Sequence, residues 1–452
     1  MAEDLSVETA RAALDSLTVC RGLLQDPVLK KLHRVLGVVS EDCSGHAFIS
    51  AYADFFHTLL AHNSVRPFAD YVVTALLYDD NVYARMAAAA DFTDLDACLV
   101  KAMAHDLDLL QHVAMLSAGA VKQTALDLWG GTPAAEVIEG LPGWDFAGRG
   151  AAAPDLPGFA DLLPAFGGGK AWGGLVRELA AFHRRHGAGP FARFRGFMWE
   201  RRGTTSRLRG VMPDPVCFAD LVGYEAERRE VVANTLHLLA GLPANNVLLY
   251  GDRGTGKSST VKALVNEYHT RGLRIIEVPK ALLADFPAVV REVRDRPQKF
   301  IIFIDDLAFE DSEAEYTALK AVLEGGLESR PQNVVVYATS NRRHLVKERF
   351  ADRAGLRSGQ PDDEVRARDT IQEKLSLADR FGITVVFQSP DQDEYLRIVE
   401  ELAARRGLAI DPQRLRQEAL RWEMWHNGRS PRTARQFIDW VEARQRASGL
   451  LE

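Results

Sequence analysis

Several features that define other classes of protein are scarce in this sequence of 452 residues. Its four cysteines (Cys20, Cys43, Cys98 and Cys217) lie far apart and form no CxxC pair. This excludes a disulfide framework or a zinc ribbon and favours a reduced, cytoplasmic setting. No apolar run approaches the ~20 residues of a membrane-spanning helix. The acidic start, MAEDLSVETA, lacks the pattern of a secretory signal.

An excess of basic residues is also missing. Lys and Arg total 55 against 62 Asp and Glu, so the net charge is −7. A nucleic-acid binder that is basic overall is therefore not indicated, although a local basic face remains open. The histidines show no HExxH or paired ligand spacing, so no transition-metal site is proposed. A content of 47% hydrophobic and 26% charged residues is that of a globular protein, and the length predicts two or three domains.

The first half of the chain is predicted to be helical and to end in a connector. Residues 1–147 form a predicted helical N-terminal domain, because segments such as 17–36 carry apolar residues at three- and four-residue spacing. Residues 148–217 are predicted to be a connector, rich first in Gly and Pro and then in Arg. A short helix is predicted within it at 175–186.

The second half of this connector is rich in arginine. The segment 193–209 alone carries six: Arg193, Arg195, Arg201, Arg202, Arg207 and Arg209. With Phe194, Phe197 and Trp199 among them, they could contact nucleic-acid phosphates and stack bases. The alternative is a connector whose arginines pair with acidic residues elsewhere in the chain, and the net charge of −7 favours this alternative.

From residue 218 the pattern changes to strands that alternate with helices. Five short apolar runs predict strands at 246–250, 274–278, 300–304, 334–338 and 383–387. Because these runs are apolar throughout, they indicate a parallel sheet with both faces covered, and we assign it to an α/β domain at 218–389. Residues 390–452 are predicted to be entirely helical, beginning with a capping box at Asp391 and Glu394.

A phosphate-binding loop is predicted between the first of these strands and the helix after it. Residues 251–258, GDRGTGKS, match the pattern GxxxxGK[ST] in full. The glycines allow backbone N–H groups to point at phosphate oxygens, Lys257 reaches the β- and γ-phosphates, and Ser258 supplies an oxygen to Mg²⁺. The alternative is a glycine-rich turn that binds nothing, which the order strand, loop, helix disfavours. The predicted nucleotide contacts are Gly251, Asp252, Arg253, Gly254, Thr255, Gly256, Lys257, Ser258 and Ser259.

Acidic and polar residues follow two further strands. The run 300–304 ends in Asp305 and Asp306. Asp305 is the predicted metal-side carboxylate and Asp306 the group that polarises the attacking water, with Glu310 as a spare candidate. Asn341, which follows the fourth strand after Thr339 and Ser340, could orient that water. The alternatives are solvated acids at a strand end and an ordinary polar turn.

Two late arginines are further candidates for the reaction. Arg380 could reach the γ-phosphate of a neighbouring subunit, or it could simply satisfy carbonyls at a helix end. Ser430 and Pro431 predict a helix start that places Arg432 in the first turn, where the helix dipole disfavours a cation. A residue that breaks this rule suggests a phosphate-facing role, and the alternative is an ordinary solvated arginine. Arg435, one turn further, could substitute for Arg432.

These motifs resemble those of an AAA+ ATPase. GDRGTGKSS resembles Walker A, FIIFIDD Walker B, ATSN sensor 1 and SPRTAR sensor 2, and the resemblance covers about residues 215–446. The segment FADLVGYE resembles the one that flanks the adenine, which implies contacts from Val222 and Gly223. Many relatives carry Glu where this chain has Asp306. The DD and DRFG segments are closest to the replication-initiator and helicase-loader branch, and the whole chain resembles an uncharacterised bacterial family of AAA+ ATP-binding proteins.

The resemblance implies a P-loop NTPase fold with a five-stranded parallel sheet of order 5-1-4-3-2 and a C-terminal helical lid. It also implies ATP and Mg²⁺ as cofactors and a ring or filament of identical subunits. The expected function is ATP hydrolysis that remodels or loads a macromolecular partner. A non-hydrolysing ATP switch and a nucleic-acid loader that uses the arginine-rich connector stay open as alternatives. A small-molecule kinase is disfavoured, because a helical lid stands where a substrate-binding insert would be expected.

Overall fold

The structure, a computed structural model, describes residues 6–41, 43–63, 66–144, 146, 158–203, 205–307, 323, 331–341, 380–426 and 428–448. The chain divides into two compact units, 1–193 and 194–452, which we call the helical unit and the sheet unit. The four predicted regions (1–147, 148–217, 218–389 and 390–452) stay a prediction. Among the described residues, no helix combines the length and the apolarity that crossing a membrane requires.

The described part of the helical unit consists of helices around one apolar core. Its α-helices are α1 Val7–Asp15, α2 Pro27–Ser40, α3 Gly45–Asn63, α4 Phe68–Leu77, α5 Val82–Ala89, α6 Ala97–Ala114, α7 Ala118–Trp129, α8 Ala134–Gly140, α9 Phe159–Gly167, α10 Val176–His186 and α11 Pro190–Arg193. Short 3-10 helices span Arg21–Gln25, Phe92–Asp94 and Trp172–Leu175. Aromatic rings such as Tyr52, Phe55 and Trp144 pack at its centre.

One predicted helix of this unit is interrupted. The segment 17–36 contains a 3-10 helix followed by α2, because Asp26 caps a new helix start. Its carboxylate accepts hydrogen bonds from the backbone N–H groups of Val28 at 2.9 Å and Leu29 at 3.0 Å. Pro27 occupies the first helical position, which its fixed φ suits and where no N–H is needed.

The sheet unit is built on seven strands. They are β1 Gly196–Arg202, β2 Thr205–Val211, β3 Val247–Gly251, β4 Leu273–Glu277, β5 Lys299–Ile304, β6 Val334–Ser340 and β7 Ile383–Phe387. Their order is β2-β1-β4-β5-β6-β3-β7. The five predicted strands are β3 to β7, and they pair in parallel in the predicted order. The prediction of five strands in total is wrong, because a hairpin adds two at the β4 edge.

This hairpin lies within the predicted connector. Strand β1 runs parallel to β4, and β2 returns antiparallel to β1. Phe197 and Trp199 are each only 2% exposed, so they anchor β1 in the core and are not available to stack nucleic-acid bases. Arginines follow these residues toward the turn and obscure the alternation of a half-buried strand, so the sequence pattern there is that of a connector.

Helices cover the sheet and form the lid. They are α12 Glu225–Leu239, α13 Lys257–Tyr268, α14 Phe286–Val293, α15 Gln392–Arg405, α16 Pro412–Trp425 and α17 Pro431–Ser448. Short 3-10 helices span Phe218–Asp220, His269–Arg271 and Lys280–Asp285. Helix α13 packs apolar residues such as Val261 and Leu264 against the strands. The lid helices α15 to α17 share a separate core around Tyr395 and Phe437, which Val222 joins.

Candidate functional site

The predicted phosphate loop connects β3 to α13 in a conformation that requires glycine. Gly251 has φ 140°, and a Cβ there would lie 1.9 Å from the carbonyl oxygen of Phe387 in β7. Gly254 and Gly256 also have positive φ, 81° and 93°. Helix α13 begins at Lys257, so its amino-terminal end and its positive dipole end lie at the loop. An anion bound at this loop would be stabilised by both the N–H groups and the dipole.

Lys257 lies beneath the loop and is only 6% exposed. Its Nζ donates to the carbonyl oxygens of Gly251 at 2.9 Å and Asp252 at 2.6 Å. Burial lowers the pKa of Lys257 to about 8, although the carboxylates nearby oppose the shift. Further negative charge close to a buried ammonium group stabilises its charged form, and a bound phosphate group would supply that charge.

Two hydroxyl groups converge on the carboxylate of Asp305. Its Oδ1 accepts hydrogen bonds from Ser258 Oγ and from Thr339 Oγ1, both at 2.6 Å. Hydroxyl and carboxylate oxygens are the ligands that Mg²⁺ takes from proteins, so Ser258 and Asp305 fit this ion. In the described part of the chain no group of three or more His, Cys, Asp or Glu residues could hold a metal. Mg²⁺ in proteins commonly has one or two carboxylate ligands and takes the others from water and substrate phosphates.

Asp306 has a backbone conformation that is unusual for a residue other than glycine, with φ 53°. Its N–H donates to Thr339 Oγ1 at 2.8 Å. Its side chain accepts a hydrogen bond from Asn341 Nδ2 at 2.6 Å and lies 3.9 Å from Lys280 Nζ. The structure thus brings Asp306 and Asn341 together, as the sequence predicts. Two neighbours, Thr339 and Lys280, were missed.

Strand β6 is longer than predicted, and this explains the missed role of Thr339. The strand continues through Thr339 and Ser340, which are 2% and 0% exposed. Thr339 is therefore a strand residue whose hydroxyl points to the neighbouring strand β5, while Asn341 is the first residue beyond. The signal in the sequence was the polar hydroxyl at the end of a buried apolar run, where a partner is required.

The lid contacts the loop directly. Ser430 caps α17 as predicted, because its Oγ accepts from the N–H of Thr433 at 3.1 Å. The backbone N–H of Arg432 donates to the carbonyl oxygen of Gly254 at 3.1 Å. A Cβ on Gly254 would meet Ser430 Oγ at 2.9 Å, so glycine permits this close approach. The capped start of α17 therefore lies against the phosphate loop, and it places Arg432 in the first helical turn next to that loop.

These elements enclose a cavity of about 550 Å³, a size suited to a small-molecule ligand. The predicted residues that line it are Arg253, Gly254, Gly256, Lys257, Ser258, Ser259, Asp305, Asp306, Asn341, Arg432 and Arg435. Thr339 lines it as well. Arg380, although described, is not one of its lining residues, and Glu310 lies outside the described residues.

Val222, Gly223, Asp252 and Thr255, which are also predicted nucleotide contacts, are not among the residues that line this cavity. Val222 and Thr255 line a smaller cavity of about 30 Å³ beneath the lid. Gly223 has φ 77°, and a Cβ placed on it would lie 3.4 Å from the side chain of Ile398 in the lid. Asp252 turns away from the loop, because its Oδ2 accepts hydrogen bonds from the N–H of Ser389 at 3.0 Å and from Ser389 Oγ at 2.7 Å.

The fold and this site together define a P-loop nucleotide-binding protein of the AAA+ class. The strand order, the phosphate loop and the acidic end of β5 all conform to it. Within that class, the chain belongs to the family described as "Protein of unknown function (DUF815)", which matches residues 192–445, more than half of its length.

Other proteins are similar to parts of this chain. The chain is 27% identical over 212 residues to a 26S proteasome regulatory subunit 4 homolog of Oryza sativa subsp. japonica, covering 39% of this chain and 46% of that protein. It is 31% identical over 122 residues to a 26S proteasome regulatory subunit 6B homolog of Schizosaccharomyces pombe, covering 24% of this chain and 31% of that protein. The chain thus spans less than half the length of these relatives. The Thermotoga maritima RuvB Holliday junction branch migration motor aligns with a TM-score of 0.34 at 16% identity, covering 50% of this chain and 63% of that one.

Proposed function

We propose that this protein binds ATP together with Mg²⁺ in the 550 Å³ cavity and hydrolyses it. One observation carries the proposal. The hydroxyls of Ser258 and Thr339 meet on one oxygen of Asp305, at 2.6 Å each, beside a buried lysine whose pKa is lowered. A cation site made of oxygen ligands next to an anion site is the combination that a magnesium–triphosphate complex requires.

The side chains divide the chemistry among them. Lys257 and the N–H groups of the loop hold the β- and γ-phosphates, and Ser258 and Asp305 hold the magnesium ion. Magnesium, when bound, neutralises charge that develops on the transferring phosphoryl group. Asp306 accepts a proton from the attacking water, and Asn341, whose amide lies 2.6 Å from that carboxylate, keeps both in position. Arg432 faces the phosphates from the lid.

A second function is favoured by one feature of the same site. The carboxylate of Asp306 accepts a hydrogen bond from Asn341 at 2.6 Å and lies 3.9 Å from Lys280, so both neighbours compete with a water molecule for its oxygens. A protein that binds ATP and changes its assembly without hydrolysing it would have this arrangement permanently. Binding and turnover therefore have to be measured separately.

The experiment combines nucleotide binding with phosphate release from the full chain. Lys257→Ala is expected to abolish both, while Asp306→Asn is expected to retain binding and lose turnover. Lys262→Ala, on the same helix α13 but outside the cavity lining, is the matched control and should leave both unchanged. Binding without turnover in the wild type would select the ATP switch. A wild type that binds no adenine nucleotide would refute both functions.

The wider role extends the same proposal. We infer a cytoplasmic homo-oligomer that uses ATP to remodel or load a macromolecular partner, in which Arg380 completes the site of a neighbouring subunit. The support is the contact between lid and loop, through Arg432 and Gly254, by which phosphate binding reaches the lid. Mixing Asp306→Asn and Arg380→Ala chains tests the shared site. Partial recovery of turnover is expected only if one subunit supplies Arg380 to another.

A further inference from the structure

The hairpin leaves one edge of the sheet open. Strand β2 is the terminal strand and pairs only with β1 among the described residues. No hydrogen bond within the described residues reaches the outer backbone groups of Thr205–Val211. In an antiparallel pair every second residue turns its N–H and C=O groups outward, so this edge offers a row of donors and acceptors to another extended chain.

The charge of this edge selects its occupant. On one face of the hairpin, Glu200 lies opposite Arg207 and is also contacted by Arg202 and Arg209. The side chains of Arg202, Arg207 and Arg209 are 71%, 52% and 44% exposed, while that of Glu200 is 20% exposed, so positive charge faces solvent. Three cations and one anion leave a surplus of two positive charges in this group, and two of its arginines, Arg207 and Arg209, lie on the edge strand β2 itself.

The opposite face of β2 has a different character. Ser206, Leu208 and Gly210 alternate with the arginines and are half-buried. Ser206 Oγ donates to Asp285 at 2.8 Å, and a Cβ on Gly210 would lie 2.2 Å from the ring of Phe194. This face therefore accepts small or apolar side chains next to it and offers no cationic row.

We propose that the open edge of β2 binds an extended acidic peptide segment as an eighth strand of the sheet. Acidic side chains at alternate positions would lie beside Arg207 and Arg209, and small or apolar side chains would lie on the face of Leu208. A second copy of this chain fits less well, because antiparallel pairing of β2 with itself places arginine beside arginine. A single-stranded nucleic acid also fits less well, because Phe197 and Trp199 are buried and the ring of Phe194 packs over Gly210 and against Phe197, so none of the three is free to stack bases. This inference does not depend on ATP hydrolysis.

Fluorescence anisotropy of labelled synthetic peptides on the full chain tests the proposal. The probe is a decapeptide of alternating Glu and Val, and two variants of it are compared. One carries Lys in place of Glu, and the other keeps the side chains but is N-methylated at alternate residues. N-methylation removes hydrogen bonds between the peptide and the strand, so the methylated peptide should bind at least tenfold more weakly, a loss of ~1.4 kcal/mol. The Lys peptide should bind at least that much more weakly.

Variants of the protein provide the second arm. Arg207→Gln with Arg209→Gln should weaken binding of the acidic peptide about fivefold, since the double variant removes two cross-strand charge pairs. Arg414→Gln, an exposed arginine of the lid paired with Glu418, is the matched control and should change nothing.

Three results would overturn the inference. Equal binding of the methylated and unmethylated acidic peptides would show attraction by charge alone. Tighter binding of a labelled single-stranded oligonucleotide at the same arginines would assign the surface to phosphates. If no peptide binds, the arginines serve only to keep the edge from pairing. Because the peptide comparison uses the wild-type protein, it holds even where the glutamine variant disturbs the hairpin.

Discussion

Thr339 is the residue on which the acidic side of the site depends most directly. Its hydroxyl donates to Asp305 at 2.6 Å and accepts from the N–H of Asp306 at 2.8 Å, so a single oxygen positions both acids. Thr339→Val keeps the shape of the side chain and removes that oxygen. We expect this variant to destabilise the ends of β5 and β6 and to lower the affinity for magnesium–nucleotide.

The magnitude follows from the two contacts. A hydrogen bond to a charged group contributes ~1.5–3 kcal/mol net. The N–H of Asp306 retains a longer bond to Asp305 Oδ1 at 3.1 Å, so its loss is only partial. The methyl group of valine also recovers some apolar burial. Together these effects lower the free energy of local opening in Thr339→Val by about 2 kcal/mol, which is roughly thirtyfold in the opening equilibrium constant.

Hydrogen exchange of peptides that cover β5 and β6 is the suitable assay, because it separates the sheet unit from the helical unit. Thr339→Ser, which keeps the hydroxyl, is the matched control and should restore protection, magnesium–nucleotide affinity and turnover. If valine and serine at this position prove equally protected and equally active, the positioning role assigned to Thr339 is wrong. Loss of protection in both would indicate packing by the methyl group instead.

Three further predictions concern other parts of the molecule. Gly251→Ala should disrupt the sheet unit far more than Gly256→Ala, because only the first Cβ collides with backbone, at 1.9 Å from Phe387; equal thermal stability of the two variants would contradict this. Nucleotide binding near pH 8 should take up protons, because burial lowers the pKa of Lys257 to about 8 and phosphate raises it again. Calorimetry in buffers of different ionisation enthalpy would reveal the uptake, and buffer-independent heats would exclude it. The helical unit should lose stability as pH falls from 6.5 toward 4, because burial lowers the pKa of His183 to about 4 and only the unfolded chain binds the proton in that range. Urea unfolding of that unit should show a shallower pH dependence in His183→Gln.

Much of the sheet unit could be predicted because its signals are local. Apolar runs such as 300–304 are read directly as buried parallel strands, and β5 confirms this one at Lys299–Ile304. The loop 251–258 is a single continuous motif, so its position between β3 and α13 was also predictable. Ser430 was predicted as a cap from its own residue type and its neighbours, and the structure confirms it.

What could not be predicted depends on contacts between residues far apart in the chain. Thr339 and Asp305 are 34 positions apart, and nothing in either segment alone indicates that their side chains meet. Lys280, the first residue of the 3-10 helix that follows β4, lies 3.9 Å from the carboxylate of Asp306. The hairpin was missed for a different reason. Trp199 is buried, and its Nε1 donates a hydrogen bond to Asp285 at 3.1 Å. The arginines around it nevertheless give the segment the composition of a solvated connector.

The loop is attached to two other elements, and this limits how it can respond to a ligand. On one side, the N–H of Asp252 donates to the carbonyl oxygen of Phe387 at 3.1 Å, and its carboxylate holds Ser389, so the loop is tied to the end of β7. On the other side, the carbonyl oxygen of Gly254 accepts from Arg432 at the start of α17. Because both contacts use the loop's own residues, a phosphate group that reorients the loop must also strain or shift one of its attachments. The β7 attachment belongs to a paired strand, whereas within the described part of the chain the lid holds the loop by one backbone hydrogen bond at a helix terminus. The lid is therefore the element that yields at the lower cost in free energy.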